Sequence, residues 1–476
     1  MSEEARSVSS FAALGISQPL VRALKMLSIT VPTPIQAASI PAILEGRDVI
    51  GGAETGSGKT LAFALPILNE LRRDMVGGFG VILTPTRELA VQLHEQFLAV
   101  GQGSRMGLKC ALVLGGMDMM KQATELAGQR PHLIVATPGR LVDLLRSGGA
   151  QEWGLERCKF VVLDEADRLL SPTFANELAY LFSILPPARM RQTLLFTATL
   201  TPEIEKLTQK KPEAGKLPPL LRKIEMATST PATLTQQYVF VPSHVREPYL
   251  YYLLHHPPCR AAPPRAAELP DVYRKGARNA PREAAPTGPS VPLTIVFAAR
   301  CETAELLSRM LTELGVENVS LHSLLPQSKR LEHLQTFRAR RVPVLISTDV
   351  GSRGLDIPDV EMVVNWDVPA AWEDYVHRVG RTARKGKKGW AVSFVTERDV
   401  ELVHTIEDKI GQQLAELELP ESRVLEELSQ VTAAKRVASM ALHDEHFGEQ
   451  RERNKKKAKI AQGDVSGKRK RAKTGP

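Results

Sequence analysis

Eight residues, Ala53-Glu54-Thr55-Gly56-Ser57-Gly58-Lys59-Thr60, follow an apolar run at Asp48–Gly51 and open a helical pattern over Leu61–Leu71. Glycines at this spacing let backbone N–H groups turn inward and cradle phosphate oxygens, and the helix N-terminus adds positive potential. Lys59 is placed to reach the β- and γ-phosphates, and Thr60 to ligate Mg²⁺. The strict form of this loop begins with Gly; here that position is Ala53. A second group lies further on, where Val161-Val162-Leu163 runs into Asp164-Glu165-Ala166-Asp167. An apolar strand ending in two carboxylates offers Asp164 to Mg²⁺, through water, and Glu165 as the base that orients and polarises an attacking water. Taken alone, the acidic pair suits equally well a loop capping the helix Arg168–Leu170. Both segments in one chain point to a nucleotide site.

These groups need strands to present them. Short apolar strands are expected at Asp48–Gly51, Val81–Thr84, Leu133–Ala136, Phe160–Asp164 and Thr193–Thr197, separated by amphipathic helices. Near-continuous apolar strands alternating with helices imply an α/β fold with a parallel sheet covered on both faces. Ligands of such sheets sit beyond the carboxyl ends of the strands. A second set at Gln237–Val241, Thr294–Phe297, Val319–Leu321, Val344–Thr348, Met362–Asp367 and Ala391–Val395 predicts another sheet of the same design. The expected organisation is a first lobe over residues 1–211, a flexible linker over 212–235, a second lobe over 236–425 and a helical, then basic, tail over 426–476. Residues 257–292 are crowded with Pro, Ala and Arg and cannot supply a core, so a surface insertion is expected there. A basic loop touching RNA is one use for it.

Composition narrows the partners. Lys plus Arg is 62 against 53 for Asp plus Glu, a formal charge of +9, which favours polyanions and nucleic acid first. Cys110, Cys158, Cys259 and Cys301 form no CxxC pattern, so reduced thiols in a soluble intracellular protein are expected. No run approaches the roughly 20 apolar residues of a membrane span, and no membrane partner is expected. The tail carries NKKKAK and KRKR within Asn454–Arg471. Such runs bind nuclear import receptors or nucleic acid, and are often merely solvated.

With these residues in view the chain resembles the DEAD-box RNA helicases, whose name is the tetrapeptide Asp164-Glu165-Ala166-Asp167. The resemblance spans about Phe11 to Arg423 and rests on many motifs in order. It implies two tandem RecA-like lobes. Phe11 with Val31-Pro32-Thr33-Pro34-Ile35-Gln36 resembles the family's Q motif, which implies that Gln36 reads the adenine edge and Phe11 stacks on the base. Pro85-Thr86-Arg87-Glu88-Leu89-Ala90, Gly115-Gly116 and Thr137-Pro138-Gly139-Arg140 resemble the RNA-contacting motifs of the first lobe. Their backbone N–H groups, hydroxyls and arginines suit phosphates, and sequence-independent binding follows. Thr197-Ala198-Thr199 stands where the family has Ser-Ala-Thr, which couples ATP state to lobe closure; Asp167 and His377 are grouped with it as coupling residues.

In the second lobe Ile295-Val296-Phe297 resembles motif IV, and Gln327-Ser328-Lys329-Arg330 the neighbouring Gln-x-x-Arg element. Ser347 to Asp356 resembles motif V, which implies Thr348 and Gly351 along RNA phosphates and Asp356 near the ribose. His377-Arg378-Val379-Gly380-Arg381-Thr382-Ala383-Arg384 resembles motif VI, which implies Arg381 and Arg384 as arginine fingers on the γ-phosphate. Planar guanidinium donors pair bidentately with phosphate oxygens. Elsewhere, such a segment is more often an exposed basic helix.

The resemblance thus implies an RNA-stimulated ATPase that uses ATP and Mg²⁺, with the active site split between the lobes and RNA lying across both. Closure would bend one strand out of duplex shape, and phosphate loss would reset the enzyme. The stretches Pro41–Asp48, Gly115–Met119 and Gly351–Pro358, with the basic tail, are similar to the ribosome-biogenesis subgroup acting in small-subunit assembly. Pre-rRNA, a protein activator or assembly factor, a monomer, and a nuclear, nucleolar address are the corresponding expectations. The rivals are an ATP-gated RNA clamp or mRNP remodeller with little unwinding, a P-loop kinase and a DNA motor.

Overall fold

The computed structural model describes residues 10–53, 56–149, 153–199, 216–223, 233–258, 291–349, 360–384 and 387–445, with isolated positions 201, 204, 206, 207 and 447. The chain forms two compact units that part near residue 228. Each is built on a sheet of seven parallel strands.

The first sheet contains β1 (Val49–Gly52), β2 (Gly80–Leu83), β3 (Cys110–Val113), β4 (Leu133–Ala136), β5 (Phe160–Asp164), β6 (Gln192–Thr197) and β7 (Leu220–Lys223). Their spatial order is β3-β4-β2-β5-β6-β1-β7. Side chains alternate across a strand, so one strand feeds two cores. Val49, Ile82, Val135, Val162 and Leu194 enter one core, with the helices Pro34–Leu44, Lys59–Leu71 and Arg87–Gly103. Ile50, Val81, Ile134, Val161 and Leu195 enter the other, with Pro138–Leu144 and Ala175–Ile184. Burial on both faces is why these strands read as unbroken apolar runs.

The stretch 212–235, expected as a linker, is corrected in part. Leu220–Lys223 pairs in parallel with β1 and completes the first sheet as its edge strand. An edge strand is hydrogen-bonded on one side, so it tolerates the half-exposed Leu-Leu-Arg-Lys sequence. β3 was also unforeseen; it is the opposite edge and is only half buried.

The second sheet contains β8 (Leu234–Phe240), β9 (Thr294–Phe297), β10 (Asn318–Leu321), β11 (Val344–Ser347), β12 (Met362–Asn365), β13 (Gly389–Val395) and β14 (Ala415–Glu416). Their order is β10-β11-β9-β12-β13-β8-β14. The helices Arg246–His255 and Cys301–Glu313 cover one face, and Trp372–Val379 and Val400–Ile410 the other. The helical start of the tail belongs to this unit. Val424, Val431, Ala434 and Ala438 of the helices Glu421–Glu426 and Leu428–Asp444 complete its core, and Lys435 pairs with Glu247 at 2.6 Å. Of the Pro/Ala/Arg-rich insertion, residues 259–290 lie outside the described residues, as do both basic runs of the tail. Among the described residues no helix is long and apolar enough to cross a membrane, and Cys110, Cys158 and Cys301 are free thiols.

Candidate functional site

The strand order sorts the first unit's loops into two groups. β5, β6 and β1 are neighbours, so Asp164, Thr197 and Ala53 stand side by side at their carboxyl ends. Ala53 N–H donates to the Thr197 carbonyl at 3.1 Å. Of the phosphate loop, Glu54 and Thr55 lie outside the described residues. Gly56 and Gly58 have φ of 85° and 93°, a left-handed conformation that glycine adopts without steric cost. Lys59 begins the helix Lys59–Leu71, and its ammonium donates to the Ala53 carbonyl at 2.6 Å. Thr60 follows it, half buried.

Gln36 meets this loop directly. Its Nε2 donates to the Gly58 carbonyl at 3.0 Å, and its Oε1 accepts from Thr33 N–H at 2.9 Å. A Cβ at Gly58 would collide with that amide nitrogen. The oxygen has a second lone pair and the nitrogen a second proton, so contact with a base edge remains chemically open. Phe11, expected to stack on the base, is 2% exposed and packs in the main core of the unit. That packing holds the ring in place at the start of the unit.

Asp164 is 5% exposed. Burial pushes its carboxyl up to about 6, with Lys59 and the Glu165 backbone pulling the other way. A buried carboxylate at a strand end suits a divalent cation, whose charge would offset the cost of burial. Among the described residues no three His, Cys, Asp or Glu side chains gather into a metal cage. One carboxylate and one hydroxyl, Asp164 and Thr60, suit Mg²⁺, which keeps waters and binds substrate phosphates. Glu165 has φ 54° and ψ 53°, left-handed for a residue with a side chain. That conformation costs on the order of 1–2 kcal/mol and is the kind of strain held at working sites. Thr199 Oγ1 donates to the Asp167 carboxylate at 2.6 Å, and Thr197 Oγ1 donates to the Thr199 carbonyl at 2.7 Å. The expected coupling residues Asp167, Thr197 and Thr199 are therefore one hydrogen-bonded chain joining β5 to β6.

β3, β4 and β2 form the other half, and their carboxyl ends carry the expected RNA loops. Thr86 caps the helix Arg87–Gly103, accepting from Leu89 N–H at 3.4 Å. Arg87 lies over the Gly115-Gly116 turn so closely that a Cβ at Gly116 would strike its guanidinium. Gly116 has φ 86°. Arg140 donates to the Met117 carbonyl at 2.9 Å. Thr137 precedes a helix that starts at Pro138, with Gly139 and Arg140 in its first turn. Pro85 is half buried beside Thr86. Two arginines and a glycine turn are thus one cluster.

Gly351 and Asp356 lie outside the described residues. Thr348 N–H donates to the Leu321 carbonyl at 3.1 Å. Gln327 opens the helix Gln327–Arg338, and Arg330, 4% exposed, donates to Gln327 Oε1 at 3.3 Å. His377 is buried near the end of the helix Trp372–Val379. Arg381 donates Nε to the His377 carbonyl at 3.2 Å, and Arg384 donates Nε to the Gly380 carbonyl at 2.7 Å. Arg378 and Arg381 are each 1% exposed, so this is no solvated basic helix.

Arg378 was not among the expected site residues. It donates to the Asp349 carboxylate and to the Asp367 carbonyl, each at 2.7 Å, and pins the β11 and β12 loops together. The signal was its place three residues after Tyr375, on the buried face of the helix.

A parallel α/β sheet with a phosphate loop, an acidic strand end and an adjoining row of anion-binding loops defines a nucleotide-hydrolysing enzyme that handles a second polyanion. Residues 33–207 match the DEAD/DEAH box helicase family, and residues 289–386 match the helicase conserved C-terminal domain. The chain is 62% identical to the ATP-dependent RNA helicase DBP8 of Mycosarcoma maydis, over 94% of this chain and 89% of that one. It is 48% identical to dbp8 of Schizosaccharomyces pombe, over 99% and 98%. Among solved structures, S. cerevisiae Dbp5 bound to RNA and ADP BeF3 superposes with a TM-score of 0.69, at 26% identity over 90% of this chain and 100% of that one. Mss116p bound to ssRNA and AMP-PNP gives 0.73, at 25% identity over 90% and 83%. The chain belongs to the DEAD/DEAH box helicase family.

Proposed function

We propose that this chain is an ATP-dependent RNA helicase that binds, locally unwinds and releases structured RNA. The observation that carries this is the division of the first sheet's carboxyl edge. Asp164, Thr197 and the phosphate loop occupy β5, β6 and β1, while Arg87, Gly115-Gly116 and Arg140 occupy the loops of β2, β3 and β4. The relatives named ATP-dependent RNA helicases, and the solved neighbours holding RNA with an ATP analogue, support the reading.

In this mechanism Gln36 and the phosphate loop bind the nucleotide, and Lys59 moves from the Ala53 carbonyl to the phosphates. Asp164 and Thr60 would hold Mg²⁺, which would supply positive charge to the phosphates. Glu165 orients the attacking water and accepts its proton. Arg381 and Arg384 supply the remaining positive charge on the transferring phosphoryl group. The Thr199–Asp167 bond ties the acidic strand end to β6 and reports the nucleotide's state to the RNA loops. ATP and RNA each raise the other's affinity, as linkage requires.

Single-stranded RNA is expected to raise ATP turnover of the full chain, and to tighten ATP binding about fivefold or more, the lower end of typical coupling between two ligands. DNA of the same sequence is expected to do little, because ribose hydroxyls contribute to binding. Equal stimulation by DNA would remove RNA from the assignment.

The target proposed is pre-rRNA in small-subunit assembly, at a nucleolar address, with the protein acting as a monomer beside assembly factors. Relatives named DBP8 and the lysine-rich sequence of 454–471 support it. Backbone contacts carry no sequence information, so partners must deliver the enzyme. Crosslinking in cells tests this: recovery of pre-rRNA is expected, whereas recovery of messenger RNA alone favours an mRNP remodeller.

A further inference from the structure

We propose that Glu305 is a positioning residue for RNA binding: through Ser320 and His322 it fixes the end of β10, from which the RNA-contacting elements of the second unit are hung. The inference rests on the RNA role given above to Gln327, Arg330 and Thr348.

Three consecutive residues at that strand end each hold one element. The Ser320 carbonyl bonds His333 Nδ1 of the helix Gln327–Arg338 at 2.7 Å. The Leu321 carbonyl accepts from Thr348 N–H at 3.1 Å. The His322 carbonyl accepts from Leu325 N–H at 3.2 Å, in the turn that leads into Gln327. Where this strand end sits therefore decides where Gln327, Arg330 and Thr348 sit.

Glu305, on the helix Cys301–Glu313, holds the side chains of two of the three. Its Oε2 accepts from Ser320 Oγ at 2.9 Å and from His322 Nε2 at 3.0 Å. Its Oε1 accepts from Arg309 Nε at 3.0 Å. Burial pushes the Glu305 carboxyl up, but the hydrogen bonds from His322, Ser320 and Arg309 outweigh it and hold the group down at about 2. The carboxylate is thus committed to its partners. His322 is fully buried, and its other ring nitrogen, Nδ1, has no hydrogen-bond partner among the described residues. The ring's polar anchorage is Glu305. Arg309 also forks onto Glu445, just past the helix Leu428–Asp444, at 2.9 and 2.5 Å. A group that orients a functional element through one hydrogen bond is the same device that orients metal-bound histidines.

The test titrates single-stranded RNA against the ATPase of the full chain carrying His322→Asn or His322→Gln. The glutamine amide nitrogen reaches the Nε2 position; the shorter asparagine does not. His322→Asn is expected to raise the RNA concentration for half-maximal stimulation about tenfold, the effect of one charge-assisted hydrogen bond. RNA-free turnover, kcat at saturating RNA and KM for ATP are expected to stay unchanged, and His322→Gln to restore RNA affinity. No change with asparagine overturns the inference. So does a loss spread over RNA-free turnover and thermal stability, with no rescue by glutamine. Gln327→Ala separates the two layers. If it leaves RNA affinity unchanged, the RNA role of that helix falls; if it weakens RNA while His322→Asn does not, positioning by Glu305 alone falls.

Discussion

Glu165→Gln is expected to lower RNA-stimulated ATP turnover by about 10²–10⁴, the range of general base catalysis, while leaving ATP and RNA binding intact. The substitution keeps the side chain's volume and one carbonyl oxygen but removes its basicity. Glu165 is 7% exposed, in a left-handed backbone conformation imposed by the turn from β5 into the helix Ala166–Leu169. An isosteric change leaves that turn and its packing in place. It also leaves Lys59, the cation proposed to meet the nucleotide's phosphates, and Asp164, the carboxylate that would hold Mg²⁺. The variant should therefore accumulate with ATP and RNA bound, and release RNA slowly. Single-turnover hydrolysis beside equilibrium binding of a labelled nucleotide separates the steps. Turnover within tenfold of the parent would deny Glu165 the role of base and favour a water positioned by other groups. Lost nucleotide binding would mean that the residue holds the loop rather than the water.

The chemistry was legible in the sequence because the motifs are local. The phosphate loop, Asp164-Glu165 and Arg381 each sit within a few residues of the strand or helix that presents them. What the sequence left unread are the contacts between residues far apart in the chain. The bond from Gln36 to the Gly58 carbonyl spans 22 positions, Thr199 to Asp167 spans 32, and Arg378 to Asp349 spans 29. Nothing in residue type or spacing dictates such pairs; the fold does, as where β5 lies beside β6 and β11 and β12 flank β9. The strands show the same division. β2, β4, β5, β9 and β11 lie inside their sheets and carry continuous apolar signatures. β3, β7 and β14 are edges, where one side needs no partner and the apolar pattern lapses. Leu220–Lys223 therefore read as linker, by the prolines and lysines of the surrounding stretch 212–231, although hydrogen bonds to β1 make it part of the sheet.

Arg381→Ala is expected to reduce kcat by about 10³–10⁵, the contribution of an arginine finger in related phosphoryl transfers, with little change in ATP affinity. The case rests on geometry as much as on motif. A finger must meet the transition state without first reorganising, and the Nε bond to the His377 carbonyl fixes the plane of this guanidinium. Arg378, three residues earlier, is fastened to Asp349 and Asp367, so the helix end that carries Arg381 is itself rigid. Arg381→Lys should recover little, because a single ammonium cannot present two parallel donors to a phosphoryl group. The side chain is 1% exposed, so truncation also removes packing, and the size of the loss alone cannot assign the role. The division between constants does. An interaction made only in the transition state lowers kcat and kcat/KM together, whereas one that merely binds the nucleotide raises KM and spares kcat. The second pattern, in a variant whose thermal unfolding matches the parent, would make Arg381 a binding residue and move the catalytic charge to Arg384.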